Sequence, residues 1–260
     1  MEYFAAKAAL EWQIELGADE AIGEAPVDRY ALPVDAPGKA RSKPGAKPVR
    51  ASAPIVQPVE IDPVAVARQA AEAAGDLDAL KAAMADFEHC ELKRGARQLV
   101  FGDGLPAARL MIIADAPDRD EDREGKPFVG KTGQLLDRML AAIDMGRMRA
   151  EAPVYITNVL PWRQPPNRDP KPEEIAMMLP FLAAHVALVN PEYVILMGDT
   201  ACQAVLGKRG IMRLRGQWAE AFGRPALPMF HPSYLMRKSA AKREAWADLL
   251  SVKARLEGGA

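Results

Sequence analysis

Four short apolar runs in this sequence each end on a residue of note. Leu110 to Ala114 ends on Asp115, Val154 to Thr157 on Asn158, Tyr193 to Met197 on Gly198, and Ala226 to Phe230 on His231. A carboxylate, an amide and an imidazole at one edge of a sheet can donate, accept and titrate. The first run is followed by residues 115–125, which hold six acids among eleven residues. Next come Pro127-Phe128-Val129-Gly130 and a stretch from about Thr132, with Leu135, Leu136, Met139 and Leu140 at helical spacing. A strand that breaks into an acidic loop and feeds a helix is where open α/β sheets place their chemistry.

The elements that must carry these residues alternate. The apolar runs are short and β-branched enough for buried strands. Between and around them lie helical stretches at residues 64–86, 173–188, 200–206 and 239–256, the second opened by Pro172 at its first turn. Residues 97–101 read as a further short strand before the turn Gly102-Asp103-Gly104. This alternation predicts a three-layer α/β/α fold around a central, mainly parallel four-stranded sheet. The ligand then belongs beyond the carboxyl ends of the strands. Residues 160–172 form a proline-rich loop with Arg163, Asn167 and Arg168, and residues 208–215 form a basic one ending at Arg215.

Before this α/β domain, expected over residues 64–260, the chain reads as two extensions. Residues 1–24 contain an amphipathic helix, with Tyr3, Leu10 and Ile14 on one side and Trp12 in need of cover. It packs back on a core or serves as a handle for a partner. Residues 25–63 are rich in Pro, Ala and Lys and cannot bury enough apolar surface to fold alone. They read as a solvated linker, or as a basic tether adding salt-sensitive DNA affinity through Lys39, Arg41, Lys43, Lys47 and Arg50.

Composition narrows the classes. The formal net charge is -1, so a nucleic-acid surface must be a local patch. Two cysteines, Cys90 and Cys202, make no disulfide framework and cannot fill a four-thiolate site. No signal peptide opens the chain, no apolar run is expected to reach membrane-spanning length, and a reducing cytoplasm is expected.

Four blocks, ADAPDRDEDREGKPFVGKTGQLL, TNVLPWRQPPNRDPKPEEI, VILMGDTA and HPSYLMR, together resemble the uracil-DNA glycosylase superfamily. The nearest branch is family 4, which carries a four-iron four-sulfur cluster. The resemblance runs from about Cys90 to Leu256. It implies hydrolysis of the N-glycosidic bond of uracil in DNA, the base being flipped from the stack into a pocket that reads its Watson–Crick edge.

The resemblance also implies residue roles. Phe128 matches the aromatic that stacks on the base, with plain core packing as the alternative. Asn158 matches the residue that reads uracil, since an amide offers one donor and one acceptor. His231 matches the donor towards O2 of the departing base. Ala114, Asp115 and Ala116 line the pocket, and Asp115, standing where the family has a glutamate, is also expected among the catalytic groups with Glu121 and His231. Glu121 falls at the family's proposed catalytic acid, and Asp118 replaces a glycine, which predicts a strained loop. Ser233 caps the last motif and is expected to contact DNA. Leu235 is either a wedge entering the vacated base step or a helix-core leucine. Arg163, Arg168, Arg215 and Arg237 are placed to meet phosphates.

At the cluster the chain departs from the family. Cys90 matches one ligand position, but the others hold Phe87, Trp162 and Met178, and a lone thiolate cannot hold such a cluster. The expectation is an iron-free protein with an apolar plug, acting as a monomer on uracil-containing DNA and not on a membrane. Two alternatives stay open: a degenerate relative that binds DNA or a flipped base without cutting, and an iron–sulfur protein built from unexpected ligands.

Overall fold

The computed structural model describes Lys7, residues 61–166 and residues 168–258. The expected N-terminal helix, nearly all of the expected linker, and Asn167 lie outside the described residues.

Six strands form one sheet: β1 (Asp103–Gly104), β2 (Leu110–Ala114), β3 (Val154–Asn158), β4 (Tyr193–Met197), β5 (Ala219–Ala221) and β6 (Arg224–Met229). Their order is β1-β3-β2-β4-β6-β5. The four central strands are the four expected ones and run parallel. The expected count of four is corrected to six, because β1 and β5 add antiparallel edges of two and three residues. The strand expected at residues 97–101 is absent; Val100 N instead donates to Pro161 O at 2.9 Å.

Strand alternation sorts the core into two layers. Leu110, Ile112 and Ala114 of β2 face one side, with Ile195 and Met197 of β4, and Met111, Ile113, Val194 and Leu196 face the other. The first layer is covered by α5 (Gly130–Ala141) through Leu136 and Leu140, and by α10 (Lys242–Leu256) through Leu249 and Val252. The second is covered by α1 (Pro63–Glu72), α2 (Leu77–Asp86), α6 (Pro172–Val189) and α7 (Asp199–Leu206). Burial on both faces is what a parallel sheet requires, and each fully buried Leu or Ile is worth ~1.5–3 kcal/mol. The remaining helices are short: α3 (Leu92–Gly95), α4 (Arg119–Glu124), α8 (Ile211–Leu214) and α9 (Pro232–Arg237).

The 18-residue α6 corrects the expectation that no apolar run reaches spanning length: its mean hydropathy is 1.4. It is used here as a core helix. Met178, Phe181 and Leu182 go under the sheet, and buried His185 meets Tyr155 Oη at 2.9 Å.

Candidate active site

The chain reverses its direction of travel across the sheet between β2 and β4, the place where open α/β sheets leave a crevice at their carboxyl ends. A cleft of about 390 Å³ opens there, walled by Asp115, Ala116, Glu121, His231, Ser233 and Arg237 among others. Six of the expected site residues are thus brought together. A wider groove of about 750 Å³ runs between α1 and α6, but none of the strand-end groups lines it.

His231 is the N-cap of α9. Its Nδ1 accepts from Ser233 N at 3.2 Å and lies 2.8 Å from Ser233 Oγ. Pro232 at the first helical position leaves the Ser233 amide free for this bond. With Nδ1 accepting, a neutral ring carries its proton on Nε2. Burial, helped by the positive charge of Arg237, lowers the His231 pKa to about 4, so the ring is neutral near pH 7.

The imidazole stacks on Phe128, with ring centroids 5.2 Å apart and planes at 27°. Phe128 is only 3% exposed. A base held between two rings needs them about 7 Å apart, twice the ~3.5 Å contact distance of stacked carbons. The two rings therefore close over the place where a base would stack.

Asn158 ends β3 beside Ala114, and its side chain is buried. Its Nδ2 is the one buried side-chain polar atom among the described residues without a hydrogen-bond partner. Such a donor costs ~1–3 kcal/mol in an empty site and is satisfied by an acceptor on a ligand. Asn158 and Phe128 do not line the 390 Å³ cleft itself; Phe128 joins it through His231.

The acids behave differently from one another. Asp118 has φ -84° and ψ -172°, so the expected left-handed strain is absent and the residue is the N-cap of α4. Its Oδ1 takes Asp120 N at 2.8 Å and Glu121 N at 3.0 Å, while Glu121 Oε2 takes Asp118 N at 2.8 Å, a reciprocal capping box. Glu121 Oε1 takes Phe128 N at 2.6 Å. Burial pushes the Glu121 carboxyl up to about 7 against these two main-chain donors. Asp115 Oδ1 accepts from Ala201 N at 2.8 Å, in the first turn of α7, and burial raises its pKa to about 6. A Cβ at Gly198 would lie 2.2 Å from Asp115 Oδ2, so the close approach needs glycine there. The anion faces the helix N-terminus, where the dipole favours it.

Three of the four arginines expected at phosphates are committed elsewhere. Arg163 Nε donates to buried Asp122 at 3.2 Å. Arg168 holds buried Glu174 with both terminal nitrogens, at 3.1 and 2.7 Å. Arg215 Nε donates to buried Asp248 at 2.9 Å, and its Nη2 also bonds that carboxylate. Arg237 is exposed at the cleft. Leu235 is 1% exposed and packs with Phe230, Ala241 and Ala245. The wedge alternative is corrected to the core one, because α10 lies over the side chain.

Sequence reasoning missed Arg147. It lies in the turn before β3, donates to Phe128 O at 2.7 Å and to Pro127 O at 2.8 Å, and pairs with Asp103 and Asp137 at 3.0 and 2.8 Å. Only its closeness in space to Phe128, nineteen residues earlier, marks it.

Phe87, Cys90, Trp162 and Met178 are all buried in one apolar layer, with Phe87 edge-on to Phe181 at 5.4 Å. Burial raises the Cys90 pKa, which disfavours the thiolate. No group of three or more His, Cys, Asp or Glu among the described residues could hold a metal ion. One buried thiol among two aromatics and a thioether does not fit a four-iron cluster.

A family model described as the uracil DNA glycosylase superfamily matches residues 101–250. A protein of Thermotoga maritima named type-4 uracil-DNA glycosylase is 37% identical over 151 residues, or 57% of this chain and 77% of its own length. One of the same name from Archaeoglobus fulgidus is 33% identical over 172 residues, or 63% of this chain and 84% of its own. Another from Pyrobaculum aerophilum is 30% identical over 189 residues, or 67% and 91%. The matched span carries all six strands, with Asn158 and His231 at strand ends and Phe128 in the loop before α5, and by that match the chain belongs to the uracil-DNA glycosylase superfamily.

Proposed function

We propose that this protein is a monofunctional uracil-DNA glycosylase that hydrolyses the N-glycosidic bond of a flipped uracil and leaves an abasic site. The observation that carries the reading is the unpartnered Asn158 Nδ2, buried at the carboxyl end of β3, on the same sheet edge as an imidazole stacked on a phenyl ring. The names of the relatives support the same chemistry.

The base enters by parting the Phe128 and His231 rings and stacks on the phenyl face. Asn158 Nδ2 donates to uracil O4 and Oδ1 accepts from N3–H. Cytosine presents the reverse pattern and is refused. As the bond to the sugar breaks, negative charge gathers on the departing base, and the His231 Nε2–H donates towards O2. A neutral donor aimed at a developing anion is worth ~3 kcal/mol, or about two orders of magnitude in rate. Two of the roughly four lone-pair sites on Glu121 take main-chain N–H groups, and the others can orient a water in the cleft. Asp115 is spent on the α7 terminus, so its contribution is to hold the floor of the cleft.

Phosphate contact falls to Arg237 at the cleft mouth and to neighbouring Lys238. The protein works as a monomer without an iron–sulfur cluster, the apolar side chains of Phe87, Trp162 and Met178 taking its place.

The test is incubation with uracil-containing single- and double-stranded oligonucleotides, followed by hot alkali. Strand breaks at uracil, lost in Asn158→Ala and His231→Ala, support the proposal. Binding without breaks overturns it in favour of a relative that recognises DNA without cutting.

A further inference from the structure

We propose that Arg147 and Glu121 are positioning residues that clamp the main chain of Phe128 from its two sides, holding the phenyl platform still while the imidazole is displaced by the base. The inference rests on the reading that Phe128 stacks the base.

Phe128 has φ 51°, the left-handed region that a bulky side chain avoids. Such a conformation costs ~1–3 kcal/mol and persists only where the surroundings over-determine it. Here they do. The Phe128 N–H is taken by Glu121 at 2.6 Å, and its carbonyl by Arg147 at 2.7 Å. The same guanidinium bonds the carbonyl of Pro127, so it grips two successive peptides. Arg147 is aimed by Asp103 of β1 and Asp137 of α5. The third side is closed by α5: a Cβ at Gly133 would lie 1.8 Å from Phe128 O. Three separate segments thus converge on one peptide whose ring is a wall of the base site.

The geometry explains why the fold commits so much to a single residue. The ring is covered by His231 at 5.2 Å before substrate arrives. Uracil has to separate the pair, and a platform that followed the imidazole would leave no flat surface to stack on. Anchoring Phe128 through its backbone confines the movement to the His231 side.

The clamp also predicts a pH signature. The charged groups facing Glu121 are Asp118, whose anion raises its pKa, and Arg147, whose cation lowers it. Ionised Glu121 accepts from both N–H groups, so excision should climb with pH through about 7. Removing the Arg147 cation moves that limb to higher pH.

The experiment compares wild type, Arg147→Ala, Arg147→Lys, Gly133→Ala and Phe128→Ala. The readouts are single-turnover excision across pH 5 to 9, affinity for uracil-free DNA, inhibition by free uracil, and melting temperature. Arg147→Ala is expected to slow excision about ten- to a hundredfold, weaken inhibition by uracil, leave DNA affinity unchanged, and shift the pH limb upward. Arg147→Lys keeps the limb in place and recovers part of the rate. Gly133→Ala, whose methyl would crowd both the Phe128 carbonyl and the Arg147 guanidinium that holds it, reproduces the loss with the charge intact. If Phe128→Ala is impaired while Arg147→Ala and Gly133→Ala both excise at the wild-type rate, the clamp is overturned and the stacking reading stands. If Phe128→Ala excises normally, the stacking reading falls first. Should Arg147→Ala not fold, Arg147→Lys and Gly133→Ala decide, and wild-type rates in both reject the clamp.

Discussion

His231 shows how one local bond sets a proton inventory. Its Nδ1 accepts from Ser233 and so leaves the proton of a neutral ring on Nε2. Its pKa of about 4 compares with 6.5 for a free imidazole. Between these two values the unfolded chain takes up a proton and the folded one does not. Stability linked to this group is therefore complete above pH 6.5 and lost as pH falls towards 4. His231→Ala should flatten that part of the stability profile, measured by urea unfolding at pH 5 and pH 7, while slowing excision about a hundredfold. Arg237→Ala removes a cation that lowers the His231 pKa, so the acid loss should still begin near pH 6.5 but be smaller and level off at a higher pH. At this scale the sequence was informative where a motif met a strand end or the loop behind it: it singled out Phe128, Asn158 and His231, and of these the Phe128 and His231 rings stack on each other. Arg147 was not, because it acts on main-chain atoms and no local pattern announces a guanidinium that reaches back nineteen residues. Asp118 was misread for the converse reason. A residue that departs from a family glycine need not inherit the glycine's backbone angle, and here it caps a helix instead.

Elements were legible in proportion to their periodicity. The central strands and the long helices were readable because buried alternation and helical spacing repeat over several residues. The edges β1 and β5 were not, since two or three residues carry no period. The ion pairs of the arginines were hidden for a related reason: the partner of a loop charge cannot be read locally, and each partner here lies on another element. Asp122, Glu174 and Asp248 are all buried. Removing one half of such a pair leaves an uncompensated buried carboxylate and costs ~3–5 kcal/mol. Arg168→Ala and Arg215→Ala should therefore lower the melting temperature by several degrees and leave the salt dependence of DNA binding as it was. Arg237→Ala should do the opposite, reducing the slope of log affinity against log salt by about 1 with little change in melting. The two measurements together sort cations that hold the fold from those that meet phosphate, and equal salt slopes for all three variants would show that assignment to be mistaken.

For the whole molecule, the question is what joins the helical layer to the loop after β3. The resemblance to the family 4 branch implies a metal cluster whose ligands would come from both segments. Here α2 ends at Phe87, Cys90 follows, Trp162 comes from the loop after β3, and Met178 from α6. These side chains meet in one apolar layer, and under the proposed cluster-free reading buried area takes the place of that cross-link. The two devices fail differently. A cluster fails by oxidation or chelation; a plug fails by loss of volume. Trp162→Ala deletes the largest of these side chains and should destabilise the protein by ~3–5 kcal/mol. Excision by the molecules that remain folded should be nearly unchanged, because Trp162 packs in the apolar layer and does not line the cleft. Cys90→Ala removes the last potential ligand and should cost little in either stability or rate. Chelator treatment should change neither melting temperature nor activity, and metal analysis of the purified protein should find well under one iron per chain. Four irons per chain, or activity abolished by Cys90→Ala in a folded protein, would mean that the layer is organised around a cofactor after all. The same logic accounts for α6, which is apolar enough on composition to span a membrane. A helix that carries part of the plug on one side and the sheet on another has few positions left for polar residues, and its hydropathy follows from that double duty.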